Sequence, residues 1–171
     1  MEKSATATAP LRFGIIAAVV TLVLDQASKW WLLDVFGIAH RGTVRVTSFF
    51  DLVLAWNIGI SFGWFQSHNQ VAQIALMIVK IMAVIALAIW MVRSRTFLAT
   101  VSLGLIIGGA IGNAIDRFVH GAVVDFALFH LEIGGKDFSW YVFNFADVAI
   151  VAGVIALLYD SLLMGPAAKA P

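Results

Sequence analysis

Cysteine is absent from the 171 residues, which removes disulfides, thiol nucleophiles and thiolate metal sites together. Charge is scarce: 12% of residues are charged and the formal net charge is +1, so there is no basic field of the kind a nucleic acid needs. Histidines are few and scattered, at His40, His68, His120 and His130, and no H-E-x-x-H occurs. A zinc-peptidase pattern is therefore lacking, and no metal or cofactor is expected. No internal repeat or low-complexity segment interrupts the chain. What is abundant is apolar side chain, 61% of the total. A soluble domain could not cover that much apolar surface, whereas lipid accepts it on every side, so the chain reads as one polytopic membrane domain over residues 1–171.

About 20 apolar residues are needed to cross a bilayer, and four segments qualify, at residues 13–33, 70–92, 97–118 and 143–164. Residues 1–10 and 165–171 are expected to be flexible. The first segment carries Asp25 and Lys29 instead of a small-residue cleavage site, which marks it as a retained span and not a removed signal peptide. An even number of spans places both termini on one side. Lys and Arg are tied between the two sides, but the short Arg93-Ser94-Arg95 loop favours cytoplasmic termini.

Between the first two spans, TVRVT (43–47) alternates as a strand does. NIGISFGWF (57–65) mixes glycine with aromatics, as expected of an interfacial segment. Between the last two spans, Gly134-Gly135 is a turn signal flanked by strand-like VVDFALFHLEI and KDFSWYVF, which predicts a small sheet. The fold class expected is all-α membrane protein: four transmembrane helices, a small extracytoplasmic β-sheet and an interfacial amphipathic segment. Trp30, Trp31, Trp56, Trp64 and Trp140 map to one membrane surface and Trp90 to the other, as headgroup-level anchors. Gly104, Gly108 and Gly112 form a smooth ridge for helix packing.

Carboxylates near the membrane are costly, about 2.5 to 3.5 kcal/mol at the bilayer centre on insertion scales, so each requires a reason. Asp25, Asp116, Asp125 and Asp147 all map toward the outer end of the spans. Asn113, Asp116, Arg117 and His120 share a helical face, Gly121 offers a stop, and Asp125 follows on the irregular segment beyond. Asn144 and Asp147 lie three residues apart at the start of the last span. Asp25 with Lys29, and Asp116 with Arg117, read as ion-paired structural groups. Asp125 and Asp147 sit among apolar residues with no cation adjacent in sequence. Facing each other, they would share one proton, the arrangement an aspartic peptidase uses to activate water. Spacing alone leaves a polar lock between helices as an equal reading.

GNAIDRFVHGAVVDF (112–126), FNFADVAI (143–150), NIGISFG (57–63) and DQASKWW (25–31) together resemble lipoprotein signal peptidase, or signal peptidase II, over nearly the whole chain and in the same order. The resemblance implies an aspartic endopeptidase of the bacterial cytoplasmic (inner) membrane, with its active site toward the extracytoplasmic face. It would remove signal peptides from diacylglyceryl-modified prolipoproteins. It implies Asp125 and Asp147 as the catalytic dyad. Asn57, Asn113, Asp116, Arg117 and Asn144 are then substrate, inhibitor or supporting contacts, with Asp25 and Lys29 bracing the first helix. Globomycin sensitivity is implied too; membrane lipids are the expected surroundings and a monomer the expected state.

The competing readings are a serine hydrolase, a small proton-coupled membrane transporter and a purely structural assembly factor. GISFG (59–63) fits G-x-S-x-G around Ser61, and with His68 or His120 as partner it would suggest a serine hydrolase, but its setting looks interfacial where that motif requires a strand-to-helix elbow. A small proton-coupled membrane transporter would also concentrate acids in its spans, yet it should line a path with them, and here only Asp160 lies at the other end. Lys80, near the middle of the second span, fits no motif; it would snorkel, face a carboxylate or mark a shifted span.

Overall fold

The computed structural model describes residues 8–58 and 70–163. Four long helices carry these residues: α1 (Thr8–Trp30), continued by a π-helical turn (Trp31–Val35), α2 (Gln70–Arg93), α3 (Phe97–His120) and α4 (Phe145–Leu163). The four apolar segments of the sequence fall on them. α1 begins at Thr8, so residues 8–10, expected to be flexible, are helical; the other terminal residues named with them lie outside the described residues. Among the described residues, three stretches are long and apolar enough to cross a membrane: Pro10–Val35, Phe97–His120 and Phe145–Leu162.

Helix α3 is the centre of the bundle, with α1 and α4 packed along it and α2 making a smaller contact. Lipid gives apolar helices little reason to associate with one another instead of with acyl chains, so close approach and dispersion must hold them together. The glycine ridge provides that approach: a Cβ at Gly108 would meet the Ala18 carbonyl oxygen of α1. On a different face of α3, a Cβ at Gly109 would lie 2.6 Å from the Ala146 carbonyl oxygen of α4. Leu103 and Ile107 of α3 bury themselves with Met91 of α2, whereas Ile16, Val19 and Val23 of α1 and Val151, Ile155 and Leu158 of α4 stay exposed. An outward apolar surface of this kind suits lipid.

Both ends of α3 are capped. Thr96 Oγ1 accepts the Ala99 N–H at 3.1 Å. Gly121, at φ +74°, closes the other end by donating its N–H to the Arg117 carbonyl, so the stop expected at this glycine is where the helix ends.

Four antiparallel strands form a sheet in the order β1 (Val44–Arg45), β2 (Phe50–Asn57), β3 (Val123–Ile133), β4 (Lys136–Ser139). Gly134 and Gly135 join β3 to β4 with φ +61° and +77°, the left-handed pair that a tight hairpin turn demands. Strand β2 had not been expected. It pairs Ala55 with Asp125 and Asn57 with Val123, after a register shift between Leu52 and Ala55. Asn57 and Asp125 thus become diagonal neighbours on one sheet face. The interfacial segment expected at residues 57–65 lies, from residue 59 onward, outside the described residues.

Candidate active site

Asp125 and Asp147 reach the same place from different elements. The stop at Gly121 turns the chain out of α3 and into β3, where Asp125 is the third residue, buried at 3% exposure. Asp147 occupies the third position of α4 and is half-buried.

The start of α4 explains how Asp147 is held. The first N–H groups of a helix have no intrahelical acceptor. Asn144 Oδ1 accepts the Asp147 N–H at 3.0 Å, and Asp147 Oδ2 accepts the Asn144 N–H at 3.2 Å, a reciprocal cap. The Ala146 N–H between them donates to Asp25 Oδ1 at 3.0 Å. Local capping thereby fixes the Asp147 side chain.

Asn144 also joins the two acids. Its Nδ2 donates to Asp125 Oδ1 at 2.6 Å and to Asn113 Oδ1 at 3.0 Å, while its backbone N–H is on Asp147. Asn113 Nδ2 donates to Asp147 Oδ1 at 3.0 Å, and Asn57 Nδ2 donates to Asp125 Oδ2 at 3.0 Å. Each carboxylate is therefore held by neutral amides. Burial pushes the Asp125 carboxyl from the ordinary 3.8 up to about 6. The Asn57 amide opposes that rise, the Asp147 charge adds to it, and Asn144 and then Lys29 oppose it more weakly. A proton held near neutral pH beside a second carboxyl gives one acid and one base in a single site.

The other two acids share a direct salt bridge to one lysine. Lys29 Nζ lies 2.8 Å from Asp25 Oδ2 and 2.7 Å from Asp116 Oδ2, all three side chains being buried. The pairing of Asp25 with Lys29 is as the helical spacing indicates. The salt bridge found at Asp116, however, is to Lys29 and not to its sequence neighbour Arg117, because the ammonium rises between α1 and α3. Arg117 is half-buried, and its Nη1 donates to the Asn113 carbonyl at 3.1 Å. Gln26 was not singled out in the sequence. Its Nε2 donates to Asp116 Oδ1 at 2.9 Å and to Asp25 Oδ2 at 3.2 Å.

His120 is exposed and packs its ring on Trp56, with centroids 5.5 Å apart. Ser61 and His68, the remaining members of the G-x-S-x-G reading, lie outside the described residues. Asp160 stands at the opposite end of the bundle, where Thr96 Oγ1 donates to its Oδ2 at 3.1 Å. Lys80 is half-buried on α2.

Known proteins resemble this chain in both sequence and fold. The family model described as signal peptidase (SPase) II matches residues 17–163. A lipoprotein signal peptidase of Nitrobacter hamburgensis is 71% identical over 162 residues, covering 95% of this chain and 99% of the relative. One from Rhodopseudomonas palustris is 66% identical over 162 residues with the same coverage. A solved bacterial membrane enzyme structure, obtained by the in meso method, aligns with a TM-score of 0.73 at 28% identity, covering 92% of this chain and 91% of that one.

Proposed function

The chain belongs to the signal peptidase II family, and from that premise and the geometry of its acids we propose that it cleaves signal peptides from diacylglyceryl-modified prolipoproteins by an aspartate-dyad mechanism. The observation that carries the mechanism is the bridge through Asn144, which bonds Asp125 with its side-chain amide and Asp147 with its backbone N–H.

In the reaction, the ionised member of the dyad takes a proton from water as the water attacks the scissile carbonyl. The protonated member donates a hydrogen bond to that carbonyl oxygen and stabilises the charge developing on it. The proton passes to the leaving amine as the tetrahedral intermediate collapses, and the pair returns to one shared proton. The substrate's apolar helix enters from lipid, and the segment around its scissile bond must be extended before the dyad can reach it. Amides such as Asn57 and Asn113, with the Arg117 guanidinium, then satisfy backbone groups that lipid cannot. Arg117 is assigned to a substrate carbonyl or lipid-ester oxygen, while Asp25, Lys29 and Asp116 support the dyad from behind.

Helix α2 is taken as the fourth span: its 24 residues extend roughly 36 Å, enough for a hydrocarbon core of about 30 Å. The short loop carrying Arg93 and Arg95 supports cytoplasmic termini, and with them a dyad at the extracytoplasmic face of the bacterial inner membrane. Exposed Trp30, Trp31, Trp56 and Trp140 at the dyad end suit headgroup contact with membrane lipids. A monomer contains every residue named, and globomycin is assigned to the substrate site.

The test is cleavage of a lipidated precursor by the purified protein in lipid or detergent, beside the same precursor without its diacylglyceryl group. Cleavage of the lipidated form alone, blocked by globomycin, is expected. Equal cleavage of both forms, or of neither, would overturn the substrate assignment.

A further inference from the structure

Asp25 and Asp116 are buried, at 0% and 2% exposure, and the reaction gives them no chemical step. Their contacts follow a pattern. Asp116 Oδ2 accepts the N–H of Val124 at 3.1 Å, and Asp25 Oδ1 accepts the N–H of Ala146 at 3.0 Å. Val124 and Ala146 are the residues immediately before Asp125 and Asp147. Each buried acid therefore holds the backbone N–H of the residue that precedes one acid of the dyad. Lys29 Nζ connects the two holders, at 2.8 and 2.7 Å. The same ammonium donates to Asn113 Oδ1 at 3.2 Å, which commits the amide end of Asn113 to Asp147 Oδ1.

We propose that Asp25, Lys29 and Asp116 act as a positioning clamp that sets the separation of the Asp125 and Asp147 carboxyls and the orientation of Asn113 between them. The proposal rests on the catalytic reading of the dyad given above. Strand β3 and the first turn of α4 are separate elements, free in principle to slide independently. A slide of either now has to stretch a contact to one shared ammonium in a buried setting, where ionic contacts are hardest to break. Apolar residues would fill the same space without fixing the direction of either N–H. The clamp also explains Gly112, where a Cβ would meet the Asp25 carboxylate. Precision of this kind matters because a misplacement of about 1 Å can cost roughly 100-fold in rate.

The direct probe is Asp116→Asn in the full-length protein, with kcat, KM and the pH profile normalised to the folded fraction. The charges around Asp125 are Asp147 on α4, Lys29 on α1, and Asp116 and Arg117 on α3. Removing the Asp116 charge leaves Lys29 less neutralised, so its pull on Asp125 strengthens and the alkaline limb of kcat moves to lower pH. The expected result is kcat lower by about tenfold or more, KM within about twofold of the parent, and that displaced limb. Loss of stability alone, with kcat per folded molecule and the limb unchanged, would overturn the clamp. Should Asp116→Asn not fold, Gln26→Leu removes a neutral donor from both holders; a kcat about threefold lower at constant KM is expected, and an unchanged kcat overturns the clamp. Turnover retained in Asp125→Asn would overturn the catalytic assignment and the clamp with it, whereas its loss there beside an unaffected Asp116→Asn overturns the clamp alone.

Discussion

Four aspartates gather at one end of the helices as two pairs with opposite kinds of partner. Asp25 and Asp116 share the Lys29 ammonium, while Asp125 and Asp147 are held by the amides of Asn57, Asn113 and Asn144 and by backbone N–H. The difference lies in what each partner does to charge. A buried lysine gives a carboxylate a counterion, and removing either partner leaves the other charge buried and unpaired. An amide satisfies the oxygen and leaves the proton free to come and go. Among the described residues, a direct salt bridge to Lys29 therefore distinguishes Asp25 and Asp116 from Asp125 and Asp147.

The largest expected effect comes from breaking the amide-held pair. Asp125→Asn and Asp147→Asn should each lower turnover of a lipidated precursor by at least about 1,000-fold while the protein remains folded, as measured by cleavage and thermal unfolding together. Lys29→Met should do the opposite kind of damage. It leaves two buried acids without their cation and should cost about 3 to 5 kcal/mol in unfolding free energy, read from denaturation in detergent. A variant of Lys29 that unfolds like the parent would dissolve the distinction between the pairs.

A smaller effect sharpens the comparison through packing. Gly109→Ala puts a Cβ 2.6 Å from the Ala146 carbonyl oxygen, which pushes the first turn of α4 and Asp147 away from α3. A fall in kcat of about tenfold is expected, with KM little changed.

Smaller still is a shift in pH dependence. The Asn57 amide opposes the rise in the Asp125 pKa, so Asn57→Ala should raise that pKa further and move the alkaline limb of kcat to higher pH, opposite to Asp116→Asn. The same carboxyl makes a stability prediction. Its folded value, about 6, exceeds the ordinary 3.8, so its contribution is fully present below the lower value and lost as pH rises through the higher one. Melting temperatures of the parent should fall across that window, and those of Asp125→Asn should lack this component. Asp160→Asn, at the far end, keeps an oxygen for the Thr96 hydroxyl and should alter turnover by less than about twofold.

Much of the architecture was legible because its signals are local. An apolar run announces a helix, Gly134-Gly135 announces a hairpin, and Gly121 announces a helix end. Strand β2 was not, since the register shift between Leu52 and Ala55 breaks its alternation and its partner β3 comes after two intervening helices. The site divides the same way. Asp25 with Lys29, and Asn144 with Asp147, could be paired from helical spacing. The ion pair between Lys29 and Asp116 could not, because Arg117 stood nearer in sequence and only the packing of α1 against α3 brings the ammonium between the acids. Gln26 was missed for that reason too: its acceptor on Asp116 is a tertiary contact with no sequence period.

Carbon-13 NMR of aspartate carboxyls, followed through a pH titration in the parent and in Asp147→Asn, tests most directly whether the dyad holds a shared proton. A carboxyl assigned to Asp125 that titrates near pH 6 in the parent, and lower once Asp147 is neutral, is the predicted result. Titration of Asp125 in the ordinary aspartate range in both proteins would contradict it.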